Sequence, residues 1–471
     1  MPREPGRGHR RARSNTPDRP ATGRRRRTDP TAGRPPAATA RPGDDPALDG
    51  ADDPPERPTR RRATLAALVV AAAASAAVLV AGLPGRSPER PTPAGEERPL
   101  SAAEAERVAA LRVTNLRDVR AGVRVTVGAG RDRTDVLGWV DWARPLVYLD
   151  VGGPGAGADR GLVQATASAL LVRPDPAALP TPARPPLVPP GDRWRLREPS
   201  AGHGLSAVRD LLLGLGADRV DPAGREGRWL RRESLAGVPV DVLRAPLATP
   251  AGDPRPTLWV DRDARLHRLS GRLPDGTAVT VDLVRADRPT PHPVDALGGR
   301  PGQPRALTDD EAGRLARLPA RLRATGSATV SAAAPLGPSA NLAGAGTLSW
   351  TTASASVTVT DEDTGRRTRR HVGTGPVAHP QTSPDHPGAP SPPAPADELD
   401  RLLAAALRAG LHPPGEPAVR IREDQTADRT VDVVEVADGM RWWLDRTGLA
   451  HRLELRTSRG VWIHLDLFPV P

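Results

Sequence analysis

Two stretches of this chain are nearly the same line. "LWVDRDARLHRLSGRLPDGTAVTVDLV" starts at Leu258, and "WWLDRTGLAHRLELRTSRGVWIHLDLF" starts at Trp442. They align without a gap at an offset of 184. Trp259, Asp261, Arg262, His267, Arg268, Leu269, Arg272, Gly276, Asp282 and Leu283 match Trp443, Asp445, Arg446, His451, Arg452, Leu453, Arg456, Gly460, Asp466 and Leu467. The Trp and His matches weigh most, because the chain has only 9 Trp and 10 His.

The correspondence extends upstream. "LSAAEAERVAAL" from Leu100 parallels "LTDDEAGRLARL" from Leu307, and each opens with a capping box, Ser101 with Glu104 and Thr308 with Glu311. "LGWVDW" and "AGTLSW" set Trp142 against Trp350. A Pro-rich loop, a Leu-rich helix ("LSAVRDLLLGLG", "ELDRLLAAALRAG") and a "VDV" at Val240 and Val431 follow in both copies. Two copies with a period near 200 are tandem domains rather than a solenoid.

Hydrophobic alternation makes the last strands of each copy one-sided. Val279, Val281 and Leu283 share a face, with Thr280 and Asp282 opposite; Ile463, Leu465 and Leu467 repeat this against His464 and Asp466. "DRTG" at Asp445 and "DEDTG" at Asp361 read as hairpin turns, with Gly where a positive φ is wanted. The expected fold class is α+β: two tandem curved antiparallel sheets, half-barrels covered by helices, since an apolar sheet face must be buried against something.

The basic residues are all Arg, 67 of them, and Ile, Phe and Tyr are nearly absent, the mark of a high-GC bacterium. Residues 1–62 carry 16 Arg against 9 acids, whereas residues 104–471 carry 48 Arg against 44, so the excess charge belongs to the tail. Nucleic acid is therefore not an expected partner. With no cysteine, the chain offers no disulfide, no thiol catalysis and no lipidation site.

Residues 1–62 read as a disordered Arg/Pro-rich cytoplasmic tail, too poor in apolar groups to offset ordering entropy. The run from Ala63 to Leu83 is 21 uncharged residues, long enough to cross a bilayer as a helix. Arg60, Arg61 and Arg62 abut its start, which places the tail inside and the remainder outside. The rival reading, a cleaved signal peptide, needs a 62-residue n-region. The expected localisation is the plasma membrane, single-pass, by a signal-anchor, with extracytoplasmic domains. A linker at 84–99 then leads to domain 1 (100–288), a second linker (289–306) and domain 2 (307–471).

The capped helix, "GWVDWARPLVYLDV", "GRWLRRESLAGVPVDVL" and "LWVDRDARLHRL" together resemble the LolA-like and LppX/LprG-like envelope lipoproteins. That resemblance covers nearly all of residues 100–469, in two copies. It implies a lidded sheet whose concave face holds acyl chains, or a regulatory domain built on the same sheet. The chain departs from those families in lacking the lipid-bearing Cys and in its long Pro-rich loops.

Trp142, Trp259, Trp350 and Trp443 are the candidate ligand-binding residues, with core anchoring as the alternative. His267 and His451 offer one imidazole per copy and read as packed side chains rather than metal ligands. His371, His379 and His386, with Asp385, fall in a Pro-rich loop unsuited to zinc. Ser206 follows His203 closely but lacks the Gly that a nucleophile elbow needs. No catalytic residues, metal or cofactors are expected. The expected function is non-enzymatic: a cell-envelope membrane protein binding a lipid, lipoprotein or other apolar ligand, or else an envelope sensor or protein-interaction module with closed cores.

Overall fold

The computed structural model describes residues 96–470 except 199–203, 225, 250–252, 339, 374–396 and 427–428. The tail 1–62, the run 63–83 and linker residues 84–95 lie outside the described residues, as do His203, His379, Asp385 and His386.

The first half opens with a two-residue edge strand, β1 (Arg98–Pro99), and helix α1 (Ala102–Asp118). Ser101 Oγ accepts the Glu104 N–H and the Glu104 carboxylate accepts the Ser101 N–H, satisfying two of the helix's orphan donors. Arg98 then grips the same carboxylate with two bonds of 2.8 Å. A meander follows: β2 (Arg120–Val127), β3 (Thr134–Asp141), β4 (Leu146–Gly152), β5 (Gly161–Ala165), β6 (Leu170–Pro174) and β7 (Arg195–Arg197). After helix α2 (Gly204–Gly214) comes a second meander: β8 (Arg228–Leu235), β9 (Val238–Arg244), β10 (Thr257–Val260), β11 (Leu266–Arg272) and β12 (Ala278–Val284). β12 returns beside β2, with Val281 opposite Val125, so the two meanders fuse into one twelve-stranded antiparallel sheet in the order β1-β8-β9-β10-β11-β12-β2-β3-β4-β5-β6-β7.

The second half repeats this path. β13 (Arg305–Ala306) and α3 (Asp309–Thr325) lead to β14 (Ser327–Pro335), β15 (Asn341–Ser349), β16 (Ser354–Asp361) and β17 (Arg367–Gly373). α4 (Glu398–Arg408) precedes β18 (Ala418–Thr426), β19 (Arg429–Val436), β20 (Met440–Asp445), β21 (Ala450–Arg456) and β22 (Trp462–Pro469). Thr308 and Glu311 form the capping box, and Arg305 takes the place of Arg98. The ten strands run β13-β18-β19-β20-β21-β22-β14-β15-β16-β17, the first sheet's order without counterparts of β6 and β7. The repeated lines thus occupy equivalent strands, β10–β12 and β20–β22.

The expectation of helix-covered half-barrels is overturned; the expected membrane span, residues 63–83, lies outside the described residues. The described chain is dominated by strands in two large antiparallel sheets, with four α-helices among the described residues. None of them is long and apolar enough to cross a membrane. In the first half α1 packs on β2 while α2 packs on β3 and β4; in the second α3 packs on β14 and α4 on β16, β17, β21 and β22. The helices serve one face only. β3 and β4 are buried on both faces, because a second apolar layer covers the far side: Trp139, Tyr148 and Leu171 meet Trp194, Val294 and Val461. Chain segments and the other sheet supply that cover, so helices are not needed there.

Candidate binding site at the junction of the two sheets

The repeated line is a folding module. In β10–β11, Asp261 Oδ1 accepts the backbone N–H groups of Asp263 and Arg265, and Oδ2 lies 2.9 Å from His267 Nε2. In β20–β21, Asp445 Oδ1 accepts from Thr447 and Leu449, and Oδ2 lies 2.9 Å from His451 Nε2. One carboxylate closes the turn with one oxygen and orients the imidazole with the other. Burial opposes ionisation of both Asp residues, but these hydrogen bonds win and hold them below the usual range. The Arg that follows each His bridges to the last strand, Arg268 to Asp282 at 2.5 Å and Arg452 to Asp466 at 2.6 Å. Each also lies over the preceding Trp, at 5.7 Å for Trp259 and 4.8 Å for Trp443.

The second copy of the module is built over. Gln164 on β5 uses both ends of its amide on the connector between the two halves, residues 289–306: Nε2 donates to the His292 carbonyl at 2.7 Å and Oε1 accepts the Val294 N–H at 2.9 Å. This sets Asp295 against β21, where Arg452 reaches it at 2.6 Å. Three residues on, the Gly298 carbonyl accepts from Arg422 and Arg441 at 3.4 and 3.3 Å. Arg441 also stacks on Trp462 at 3.7 Å. Farther along the junction Asn341 pins β7, accepting the Leu196 N–H at 2.7 Å and donating to its carbonyl at 3.2 Å, beside the Arg195–Asp363 ion pair.

Burial shapes the charges here. It opposes ionisation of Asp295, yet Arg452 outweighs it and the carboxyl stays below its usual range. Glu454 has no such close partner, and burial pushes its carboxyl up to about 7. Burial, reinforced by Arg452, pushes the His464 imidazole down, which keeps it neutral. Beside this cluster opens a cleft of about 560 Å³ between the connector, β4 and strands β18–β22. Among the described residues five arginines line it, Arg144, Arg300, Arg422, Arg441 and Arg456, against one carboxylate, Glu435. Such a surface attracts and orients anions; among the described residues that line it there is no nucleophile–base pair.

The four Trp candidates separate by face. Trp142 and Trp350 belong to the helix-side cores, where their indole N–H groups donate to the Leu212 and Ala406 carbonyls at 2.9 and 3.0 Å. Gly216 and Gly410 lie against these rings; a Cβ would come within 2.6 and 2.7 Å of Cδ1. Trp259 and Trp443 lie in separate small clusters, with Leu230, Val240 and Val242 in one copy and Ile421, Val431 and Val433 in the other. Trp259 donates to Glu233, while the buried Trp443 indole N–H is unpartnered and Arg422 lies over the ring at 5.4 Å. Of the four, Trp443 alone borders the junction, in a smaller hollow of about 250 Å³ lined also by Asp295, Arg300 and Arg452. Gln164, Asp295, Arg300, Arg441 and Trp462 were not legible as site residues. The one local signal was "DALGGRPGQPR", a Gly-rich turn between an Asp and two Arg.

No family model matches the chain, and no curated protein matches it. Among solved structures it is similar to the Pseudomonas aeruginosa MucA/MucB complex, at 12% identity over 79% of this chain and 94% of that one, with a TM-score of 0.19. A structure of MucB with MucA(peri) gives 13% identity over 78% and 93%, with a TM-score of 0.19. A DUF1329 family protein from Desulfovibrio piger gives 11% identity over 39% and 92%, with a TM-score of 0.18. At these TM-scores the likenesses carry no functional argument.

Proposed function

We propose that residues 96–470 form an extracytoplasmic, non-enzymatic binding module, tethered to the plasma membrane by residues 63–83, which engages an envelope protein at the junction cleft. One observation carries this: the connector is fixed on both sides before any partner arrives. Gln164 holds it from the first sheet, and Arg422, Arg441 and Arg452 hold it from the second. A prefixed cleft loses little ordering entropy on binding. The helix side of each sheet is meanwhile filled by fully buried leucines, Leu111, Leu211 and Leu212 in one copy and Leu318, Leu399 and Leu402 in the other. That favours closed cores over an acyl-chain cavity.

The test is made on the full chain in its own membranes. A photo-crosslinking residue at Thr166, on the cleft wall, should trap a protein, and the gently extracted chain should carry no stoichiometric acyl lipid by native mass spectrometry. Lipid found at one molecule per domain, without a protein cross-link, overturns the proposal and restores the lipid-carrier expectation. Protease treatment of sealed vesicles checks the orientation: cleavage of residues 96–470 from the cytoplasmic side refutes the extracytoplasmic placement.

A further inference from the structure

We infer that the junction cleft takes a carboxylate-rich segment of a partner polypeptide, with Arg300 and Arg456 as its anchoring charges; this rests on the binding-module reading above. The argument begins with what the five arginines already hold. Arg144 is bound to Asp141 at 2.8 Å, Arg422 to Asp424 at 2.7 Å and Arg441 to Glu435 at 2.7 Å. These three are neutralised and serve as wall. Arg300 and Arg456 are exposed and have no carboxylate partner among the described residues. Each bare guanidinium offers a planar fork of donors matched to a carboxylate.

The two free charges come from different elements, Arg300 from the connector and Arg456 from the end of β21. The rest of the wall is mixed, with Leu297 and Trp462 alongside the connector's backbone. A cleft of about 560 Å³ with two cations from different elements and apolar surface fits several residues of an acidic segment better than one compact anion. A nucleic acid would need many more phosphate contacts than two free arginines supply.

The probe is a fluorescent peptide alternating Glu with Leu, titrated by anisotropy into the full chain in detergent. It should bind. The same peptide with Gln for Glu should bind at least about tenfold more weakly, and R300Q/R456Q should lose about tenfold for the Glu peptide. Raised salt should weaken the complex. Equal binding of the Gln peptide, or unchanged binding to the double variant with an unchanged thermal melt, overturns the inference. Full displacement by millimolar inorganic phosphate assigns the cleft to a small anion and overturns it too; displacement by single-stranded DNA at lower concentration than the peptide does so in favour of nucleic acid. If the double variant still cross-links its protein partner through Thr166, the binding module stands and only the acidic-segment assignment fails. If neither partner nor peptide binds, both fall.

Discussion

Replacing Glu454 by Gln probes the charge cluster behind the cleft. Glu454 lies on β21 and shares Arg452 with two nearer carboxylates: Asp295 and Asp466 are each 2.6 Å from that guanidinium, whereas Glu454 is 3.8 Å away. Its other cation, Arg441, is 3.9 Å away and bonded to Glu435 at 2.7 Å. Glu454 Oε2 is buried without a hydrogen-bond partner. Desolvation therefore dominates, and the carboxyl rises from 4.5 to about 7. Because the native value lies above the unfolded one, the native state keeps a proton that the unfolded chain releases. The stability from this group is complete below about pH 4.5 and is lost as pH rises through about 7. At about 1.4 kcal/mol per unit, the loss is about 3 kcal/mol above neutrality. E454Q cannot ionise. It should match the wild type near pH 4.5 and exceed it by about 3 kcal/mol well above neutrality. Denaturant unfolding followed by tryptophan fluorescence at both pH values measures this, since Trp442, Trp443 and Trp462 report on the same sheet. A difference between variant and wild type that is the same at both pH values would show that Glu454 is ionised in the native state, and the burial argument would be wrong.

Val119 ends α1 at φ 66°, where its carbonyl accepts the Trp142 N–H, and the second copy places Gly326 at φ 78° in the same role for Trp350. V119G should raise stability by about 1 kcal/mol and G326V lower it by about as much in thermal melts; the opposite order would remove the strain argument. G410A drives a Cβ to 2.7 Å from Trp350 Cδ1 and should cost about 1–3 kcal/mol of unfolding free energy, and a neutral result would mean that α4 moves freely on the sheet. N341A removes both bonds to the Leu196 backbone and should speed amide exchange at β7 while β2 and β14 stay protected. Unchanged exchange at β7 would mean that the Asn341 bonds do not hold this strand and that its other contacts, such as the Arg195–Asp363 pair, suffice.

Period-two alternation correctly placed Val279, Val281 and Leu283, and Ile463, Leu465 and Leu467, on the core faces. The capping boxes and the Asp445 and Asp361 turns were equally readable, because each is a local arrangement of few residues. Helix cover was misjudged because one apolar face says nothing about the other. β4 ("LVYLDVG") and the Val136–Val140 stretch of β3 are apolar on consecutive positions, the pattern of a strand buried on both sides. The faces of the tryptophans were available in principle: Leu258 and Val260 flank Trp259 and enter the core, so Trp259 must point the other way. The junction was not available. In a chain whose 67 basic residues are all Arg, nothing local separates Arg441, stacked on Trp462, from an arginine in solvent.

The duplication explains how that site arose from common parts. Both copies carry a bulge in the first strand of the second meander, at Leu230 in β8 and Ile421 in β18, followed by an Arg paired to an acid two residues on. In the first copy Arg231 meets Glu233 at 2.8 Å and is 45% exposed. In the second Arg422 meets Asp424 at 2.7 Å and is 7% exposed, because the connector lies over it. Arg268 and Arg452 differ in the same direction, 34% against 15% exposed. The same local pairs are thus weak surface contacts in one copy and connector ligands in the other. The connector decides which face becomes a site. It also leaves the first copy's equivalent face, with Arg231, Glu233, Trp259 and Arg268, as an internal control for any binding assigned to the junction.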